Sequence, residues 1–374
     1  MTKSLSPALP PSASSLALFY CSDVPALSEM NVETFVLDTP NLRGRVQGLK
    51  MTANRYTNSR CETQGGITVV ACHGLSQHKE QWEPILQVLF SMDAYKPPQN
   101  HIREFWSFEW QSHGESYVLN KDLIGNDETA ALINVWGAGI AEFIRSAHVD
   151  GHRLVGLAFS AGCVGLLLSV KYSIPNLPYI GIILLEPSLI DADTWYSKNQ
   201  PMFKTMFAFM KKGADARRDS WSSKEEAAKY LKKTIPCSLW DDRIFNLYIE
   251  HALYKTTNKE GKVHIQRKCP ADQSEGGWYN NMEYFWQAIE QSDRIQRIIP
   301  VYLVLGTANN KGGDVMLPAI RDMLLDKKKG RTYASVSYIP NVGHQLMQIN
   351  PDEVATKVSQ LLDEIVSNKI RANL

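Results

Sequence analysis

No apolar run in the chain approaches the roughly 20 residues that a helix needs to cross a bilayer. Leu16 to Cys21 is apolar, but it follows Pro10 and Pro11 and lacks a basic leader, so it reads as a docking segment and not as a secretory signal. The six cysteines, Cys21, Cys61, Cys72, Cys163, Cys237 and Cys269, show no Cys-x-x-Cys or other metal-ligand spacing, so no zinc site is expected. Cys72 and Cys163 fall inside apolar segments, where a free thiol packs as a small hydrophobe, which suggests a reducing compartment. A charge excess is also missing. Lys and Arg number 40 against 39 Asp and Glu, a net charge of +1, so nothing global favours nucleic acid or an anionic membrane as partner. What is present is ordinary globular material: 374 residues, 44% hydrophobic and 21% charged, enough for one large domain with an insertion or for two average ones.

Residues 1–30, rich in Ser, Pro and Ala, read as a loosely held arm. β-like patterns follow at Thr34–Leu37 and from Gly44 to Met51, ending at Gly65-Gly66. Ile67–Cys72, Arg153–Leu157, Tyr179–Leu185 and Val301–Leu305 are short apolar runs of the kind that form strands buried on both faces. Arg103–Phe108 and Ala334–Ile339 complete the strands, with a loop expected from Gln111 to Tyr117. Helical spacing appears after His78, from Thr129 to Ala147, from Val164 to Tyr172 and from Pro351. Alternating strands and helices imply an α/β fold with a mostly parallel sheet covered on both faces. The stretch 190–297 breaks the alternation with helical patches, aromatics and basic residues, and reads as an inserted, largely helical cap. The core is then split into 31–189 and 298–374.

Ala158-Phe159-Ser160-Ala161-Gly162 joins a strand to a helix and approximates G-x-S-x-G. Such a turn needs small residues around a serine whose hydroxyl projects above the sheet, where helix N–H groups face a developing oxyanion. A plain βα turn containing serine is the bland alternative. Val342-Gly343-His344 follows the last strand, and imidazole titrates near neutrality, as a general base must. Two acids keep the chain order Ser, acid, His: Glu186, a lone charge ending an apolar strand, and Asp314, after Gly312-Gly313. Asn309 occupies the commoner acid position and has no carboxylate; Glu186 is preferred, and a charge there needs a partner. His73 reads as a loop anchor, and Ser112-His113-Gly114-Glu115-Ser116 as architecture.

Together these features resemble the α/β-hydrolase superfamily over nearly the whole chain. More narrowly, Leu185-Glu186-Pro187, the large cap, and the segment from Tyr248–Leu253 to Lys268-Cys269-Pro270-Ala271 resemble fungal peroxisomal hydrolases of toxin and secondary-metabolite pathways. Ala158 in place of Gly, and Glu186 where Asp is usual, are departures. The resemblance implies an α/β-hydrolase fold and cleavage of an ester or acyl-CoA thioester, with Ser160 as nucleophile, His344 as base and Glu186 as acid. It also implies oxyanion donors at the N–H groups of Leu75 and Ala161, no cofactor and no metal. An acyltransferase or cyclase using the same acyl-enzyme, or a silent ligand-binding member of the fold, are the rival functions. The expected partner is a small acyl ester or acyl-CoA, with neither nucleic acid nor stable membrane insertion; a homodimer is compatible with this. Ala372-Asn373-Leu374, preceded by Lys369 and Arg371, is a loose variant of the S-K-L peroxisomal address and would engage the import receptor. Cytoplasm is the alternative location. Paired basic residues at Lys211-Lys212, Arg217-Arg218 and Lys232-Lys233 are candidate CoA phosphate contacts, although a solvated helical face explains them equally well. Met202, Phe203, Met206, Phe207, Phe209 and Met210 are candidates for an acyl pocket, with core packing as the alternative.

Overall fold

Residues that alternate in side while remaining apolar on both sides build the centre of the molecule. The computed structural model describes residues 30–58, 65–127, 129–258, 261–271, 282–307 and 317–372. Among these, β1 (Met30–Asp38), β2 (Lys50–Asn58), β3 (Ile67–Cys72), β4 (Ile102–Phe108), β5 (Arg153–Phe159) and β6 (Tyr179–Leu185) open the chain. β7 (Ser220–Trp221), β8 (Leu253–Thr257) and β9 (Val263–Arg267) follow, then β10 (Val301–Gly306) and β11 (Ser335–Ile339). The main sheet has the order β1-β2-β4-β3-β5-β6-β10-β11. β1–β2 and β2–β4 pair antiparallel, and the remaining neighbours are parallel.

The helices are α1 (Glu83–Asp93), α2 (Gly114–Ile124), α3 (Ile133–Ile144), α4 (Ala161–Tyr172), α5 (Ala192–Trp195) and α6 (Gln200–Asp215). They continue with α7 (Lys224–Leu231), α8 (Asp242–His251), α9 (Met282–Ile295), α10 (Leu317–Leu324), α11 (Leu346–Ile349) and α12 (Pro351–Ala372). On one face of the sheet Val155, Leu157, Ile183 and Leu185 meet α1 and α12. On the other face Leu154, Ala158, Ile182 and Leu184 meet α3, α4 and α9. Burial on both faces removes the polar half of the usual strand alternation, which is why β3, β5, β6 and β10 are continuous apolar runs. This is the α/β-hydrolase architecture expected from the sequence.

Three local expectations need correction. The second strand is Lys50–Asn58, not Gly44–Met51. Its polar residues are buried partners of a carboxylate network: Thr52 donates to Glu109 Oε2 at 3.0 Å, and Asn54 donates to Glu80 Oε1 at 3.3 Å. The expected Gln111–Tyr117 loop gives way to α2 at Gly114, a helix too polar to show an apolar stripe. The helix expected over 129–147 is confined to Ile133–Ile144. The segment 190–297 is largely helical as expected, and β7, β9 and β8 form a small antiparallel sheet within it. Its last helix, α9, packs on α4 through Phe285, Ala288 and Ile289, members of the main core. The expected arm at 1–30 lies, but for Met30, outside the described residues, as do Cys21, Cys61, Asn309, Asp314, Asn373 and Leu374.

Candidate active site

Ser160 stands at the turn from β5 into α4 with φ +54° and ψ −119°, a conformation that a residue with a side chain adopts only under strain. Backbone hydrogen bonds hold it there, among them a 3.4 Å contact from the N–H of Ser188 to Ser160 O. The Ser160 N–H donates to Leu185 O at 3.0 Å, and the N–H of Cys163 donates to Ser160 O at 3.1 Å. Gly162 allows the helix to start so close to the sheet: a Cβ at that position would stand 2.5 Å from both Cys72 O and His73 O. Ala158 is fully buried and the turn forms with it, so the missing first glycine does not prevent the strained geometry.

His344, on the loop after β11, brings Nε2 to 2.8 Å from Ser160 Oγ across 184 positions of sequence. That loop lies against β10 because residue 306 is glycine; a Cβ there would meet Val342 O at 2.3 Å and Gly343 O at 2.7 Å. Glu186, immediately after β6, also has a positive φ, of 43°, and its side chain is 1% exposed. Its Oε2 lies 3.5 Å from His344 Nδ1, an ion-pair separation that is long for a hydrogen bond. Its Oε1 accepts from the N–H of Gly306 at 2.5 Å and from Arg321 Nη2 at 3.3 Å. Burial alone would raise the Glu186 carboxyl; the His344 imidazole, the Gly306 N–H and the Arg321 guanidinium overcome it and hold the group below its ordinary value. The partner that a charge at the end of a dry strand requires is therefore Arg321, from α10.

The two expected oxyanion donors sit beside the serine. Ala161 begins α4, where an N–H has no intrahelical acceptor, and Leu75 lines the same cavity as Ser160. Among the described residues, neither N–H has an acceptor. The Leu75 loop is pinned by buried histidines. His113 Nε2 accepts from the N–H of Ser76 at 3.0 Å, and His73 Nδ1 donates to Gly74 O at 2.8 Å. His73 Nε2 accepts from the N–H of Trp110 at 3.3 Å, and burial lowers its pKa to about 4, so it is a neutral anchor with both nitrogens in use. Burial likewise pushes His113 well down.

Sequence reasoning did not find Ser188, whose Oγ lies 3.1 Å from Ser160 Oγ, nor Gly306 or Arg321. Only the Glu-Pro-Ser adjacency hints at Ser188. Asp314 lies outside the described residues.

A cavity of about 610 Å³ opens over Ser160 and His344, within the range of small-molecule sites. The aromatic and methionine-rich helix divides by face. Met206 and Met210 line the cavity, Phe203 and Phe207 stack on Trp195, and Phe209 is 72% exposed. The basic pairs divide too: Lys211 and Lys232 are half-buried and paired with Asp215 and Asp242, while Arg217 and Arg218 line the cavity. Cys72, Cys163, Cys237 and Cys269 are buried. Among the described residues no group of three His, Cys, Asp or Glu is placed to hold a metal ion, and no helix is long and apolar enough to cross a membrane.

No curated protein matches the chain. Among solved structures, the peroxisomal α/β-hydrolase Lpx1 of Saccharomyces cerevisiae superimposes with a TM-score of 0.66 at 17% identity, covering 92% of this chain and 91% of that one. A carboxyl esterase from Bacillus coagulans gives 0.50 at 14% identity, with 90% and 99% covered. The haloalkane dehalogenase DatA from Agrobacterium tumefaciens gives 0.52 at 12% identity, with 89% and 97% covered. At such identities the likeness concerns fold, and the esterase and the dehalogenase show how different the chemistry on that fold can be. The alpha/beta hydrolase family model matches residues 69–357, which run from β3 into the start of α12 and include Ser160, Glu186 and His344, and on that match the chain belongs to the α/β-hydrolase family.

Proposed function

We propose that this chain is a serine hydrolase that cleaves a carboxylic ester or acyl-CoA thioester through an acyl-enzyme. The observation that carries the reading is the 2.8 Å approach of His344 Nε2 to Ser160 Oγ on a turn strained to φ +54°. His344 Nε2 takes the Oγ proton as Oγ bonds to the acyl carbon. The carbonyl oxygen, now negative, receives the N–H groups of Leu75 and Ala161. On collapse the proton passes from His344 to the departing alkoxide or thiolate. Water then repeats the sequence, giving its proton to His344 and its hydroxide to the acyl carbon, and the acid leaves as Ser160 recovers its proton. Glu186, held by Gly306 and Arg321, keeps the Nδ1 proton of His344 directed away from Ser160 and stabilises the transient imidazolium.

Residues 190–271 act in this reading as the cap, since Met206, Arg217, Leu231 and Trp240 from that stretch roof the cavity. The finer assignment, to peroxisomal hydrolases of fungal secondary metabolism, rests on the motifs around Glu186 and 248–271, on the tail and on the shared fold of a peroxisomal hydrolase. A fluorescent reporter ending in Ala-Asn-Leu tests the address, and diffuse fluorescence would remove it. For the chemistry, stopped-flow hydrolysis of a p-nitrophenyl ester should show a burst of p-nitrophenol stoichiometric with enzyme. No burst and no turnover with either ester or thioester, in folded protein, would leave a binding member of the fold.

A further inference from the structure

The cavity over Ser160 is unequal in charge. Arg217, Arg218 and Arg267 line it, and no Asp or Glu does among the described residues. Behind this wall the pairing is incomplete. Arg217 Nε and Arg267 Nε both lie 3.0 Å from the same oxygen, Oδ1 of Asp219. Arg218 pairs with Glu226 at 2.5 Å and lies over the rings of Trp221 and Tyr230. Three guanidinium groups therefore face two carboxylates, and one positive charge is left over at the cavity. Arg267 is only 6% exposed, so bulk water compensates that excess poorly.

Donors remain as well as charge. Arg267 Nη1 donates to Tyr248 Oη, while Arg267 Nη2 and Arg218 Nη1 have no acceptor among the described residues. Arg217 Nη1 reaches Ser76 Oγ only at 3.5 Å. Elsewhere Met206, Met210, Leu231, Ile235, Pro236 and Ile320 supply apolar lining, interspersed with the uncharged polar side chains of Gln77, Thr234, Gln345 and Gln348.

From this geometry we infer an anion subsite within the catalytic cavity, in which Arg217, Arg218 and Arg267 receive a single carboxylate carried by the substrate away from its scissile carbonyl. The inference rests on the serine hydrolase reading and names its substrate class: a monoanionic ester or thioester with an apolar spacer. One unbalanced charge matches one carboxylate. It does not match the several phosphate charges of CoA; of the lysines considered for those, Lys211 and Lys232 are already paired, and Lys212 and Lys233 are not among the residues that line the cavity. Guanidinium groups suit a carboxylate because their N–H groups fork towards both oxygens.

The test compares p-nitrophenyl hydrogen suberate with its methyl ester, which has the same chain and no charge. The free acid should have a kcat/KM about tenfold higher at low salt, and the ratio should shrink as salt rises. R217Q and R218Q should each lower that ratio, and E226Q should raise it. Because misfolded enzyme cleaves neither ester, the ratio is insensitive to a loss of folded protein; Arg218, half-exposed, provides the variant least disruptive to packing. A ratio near one in the wild type would overturn the inference. So would octanoyl-CoA cleaved much faster than its N-acetylcysteamine thioester with the difference lost in R218Q, since phosphate would then be the anion recognised. If neither suberate ester is cleaved while a fluorophosphonate still labels Ser160, protection of Ser160 by suberate but not by octanamide supports the subsite, and equal protection overturns it. Loss of labelling and turnover together would instead count against the hydrolase reading itself.

Discussion

Replacing Glu186 by Gln isolates what its charge does, because shape and volume barely change. Three donors converge on this carboxylate: the Gly306 N–H at 2.5 Å, Arg321 Nη2 at 3.3 Å and His344 Nδ1 at 3.5 Å. An ionised carboxylate accepts from all of them, whereas an amide has one accepting oxygen and one donating nitrogen. Gly306 and Arg321 claim the oxygen, so the amide NH₂ is turned to His344. His344 must then accept at Nδ1 and carry its proton on Nε2, the tautomer that cannot take a proton from Ser160. The same exchange in the template serine triad costs about 10⁴ in turnover, and a loss of about 10³ to 10⁴ is expected here, or ~4–5.5 kcal/mol of barrier. The variant should be assayed with a p-nitrophenyl ester, normalised to folded protein. Stability shifts in a defined direction too. The folded carboxyl lies below its ordinary 4.5, so its contribution is full above that pH and is lost as pH falls through the folded value. Wild type should therefore lose its advantage over Glu186→Gln in acid. A variant within tenfold of wild-type turnover would refute the reasoning and move the acid elsewhere.

Gly306→Ala should act at a distance on the same step, because its Cβ would meet Val342 O at 2.3 Å and displace the His344 loop; turnover should fall far more than thermal stability. Equal falls in both would mean the glycine serves folding alone. Glu83 offers a pH test remote from the site. Burial, with Glu80 and Glu250 adding to it, raises its pKa to about 7, so its folded form holds a proton that the unfolded chain has released. The associated stability is complete below about 4.5 and is lost as pH climbs towards 7. Glu83→Gln should thus gain on wild type by ~1–3 kcal/mol between pH 5 and pH 8 in urea unfolding, and a constant difference would contradict the assignment.

Legibility in the sequence followed the physics of burial. β3, β5, β6 and β10 were readable because both of their faces are dry, and the turn at Ser160 because small residues are sterically required there, as Gly162 shows. β2 was displaced in the reading because Thr52 and Asn54 point into a buried network around Glu80 and Glu109, which looks like a polar loop in one dimension. The need for a partner at Glu186 was legible from its apolar surroundings, but not the identity of Arg321, which lies 135 positions away on a helix with no distinguishing pattern. The cavity charge was hidden for a related reason. Arg217 and Arg218 are adjacent to each other and to Asp219 in a charge-rich stretch, yet Arg267 arrives from a strand of the small sheet, and only the fold puts two guanidinium groups on one carboxylate.

The central claim is that Ser160 is the activated nucleophile. Its most direct measurement is fluorophosphonate labelling of the folded protein, with the modified residue located by peptide mass. The account predicts one adduct per chain, on the peptide containing Ser160, absent in Ser160→Ala and formed much more slowly in His344→Ala. Labelling that persists in Ser160→Ala, or that falls on another residue, would contradict it.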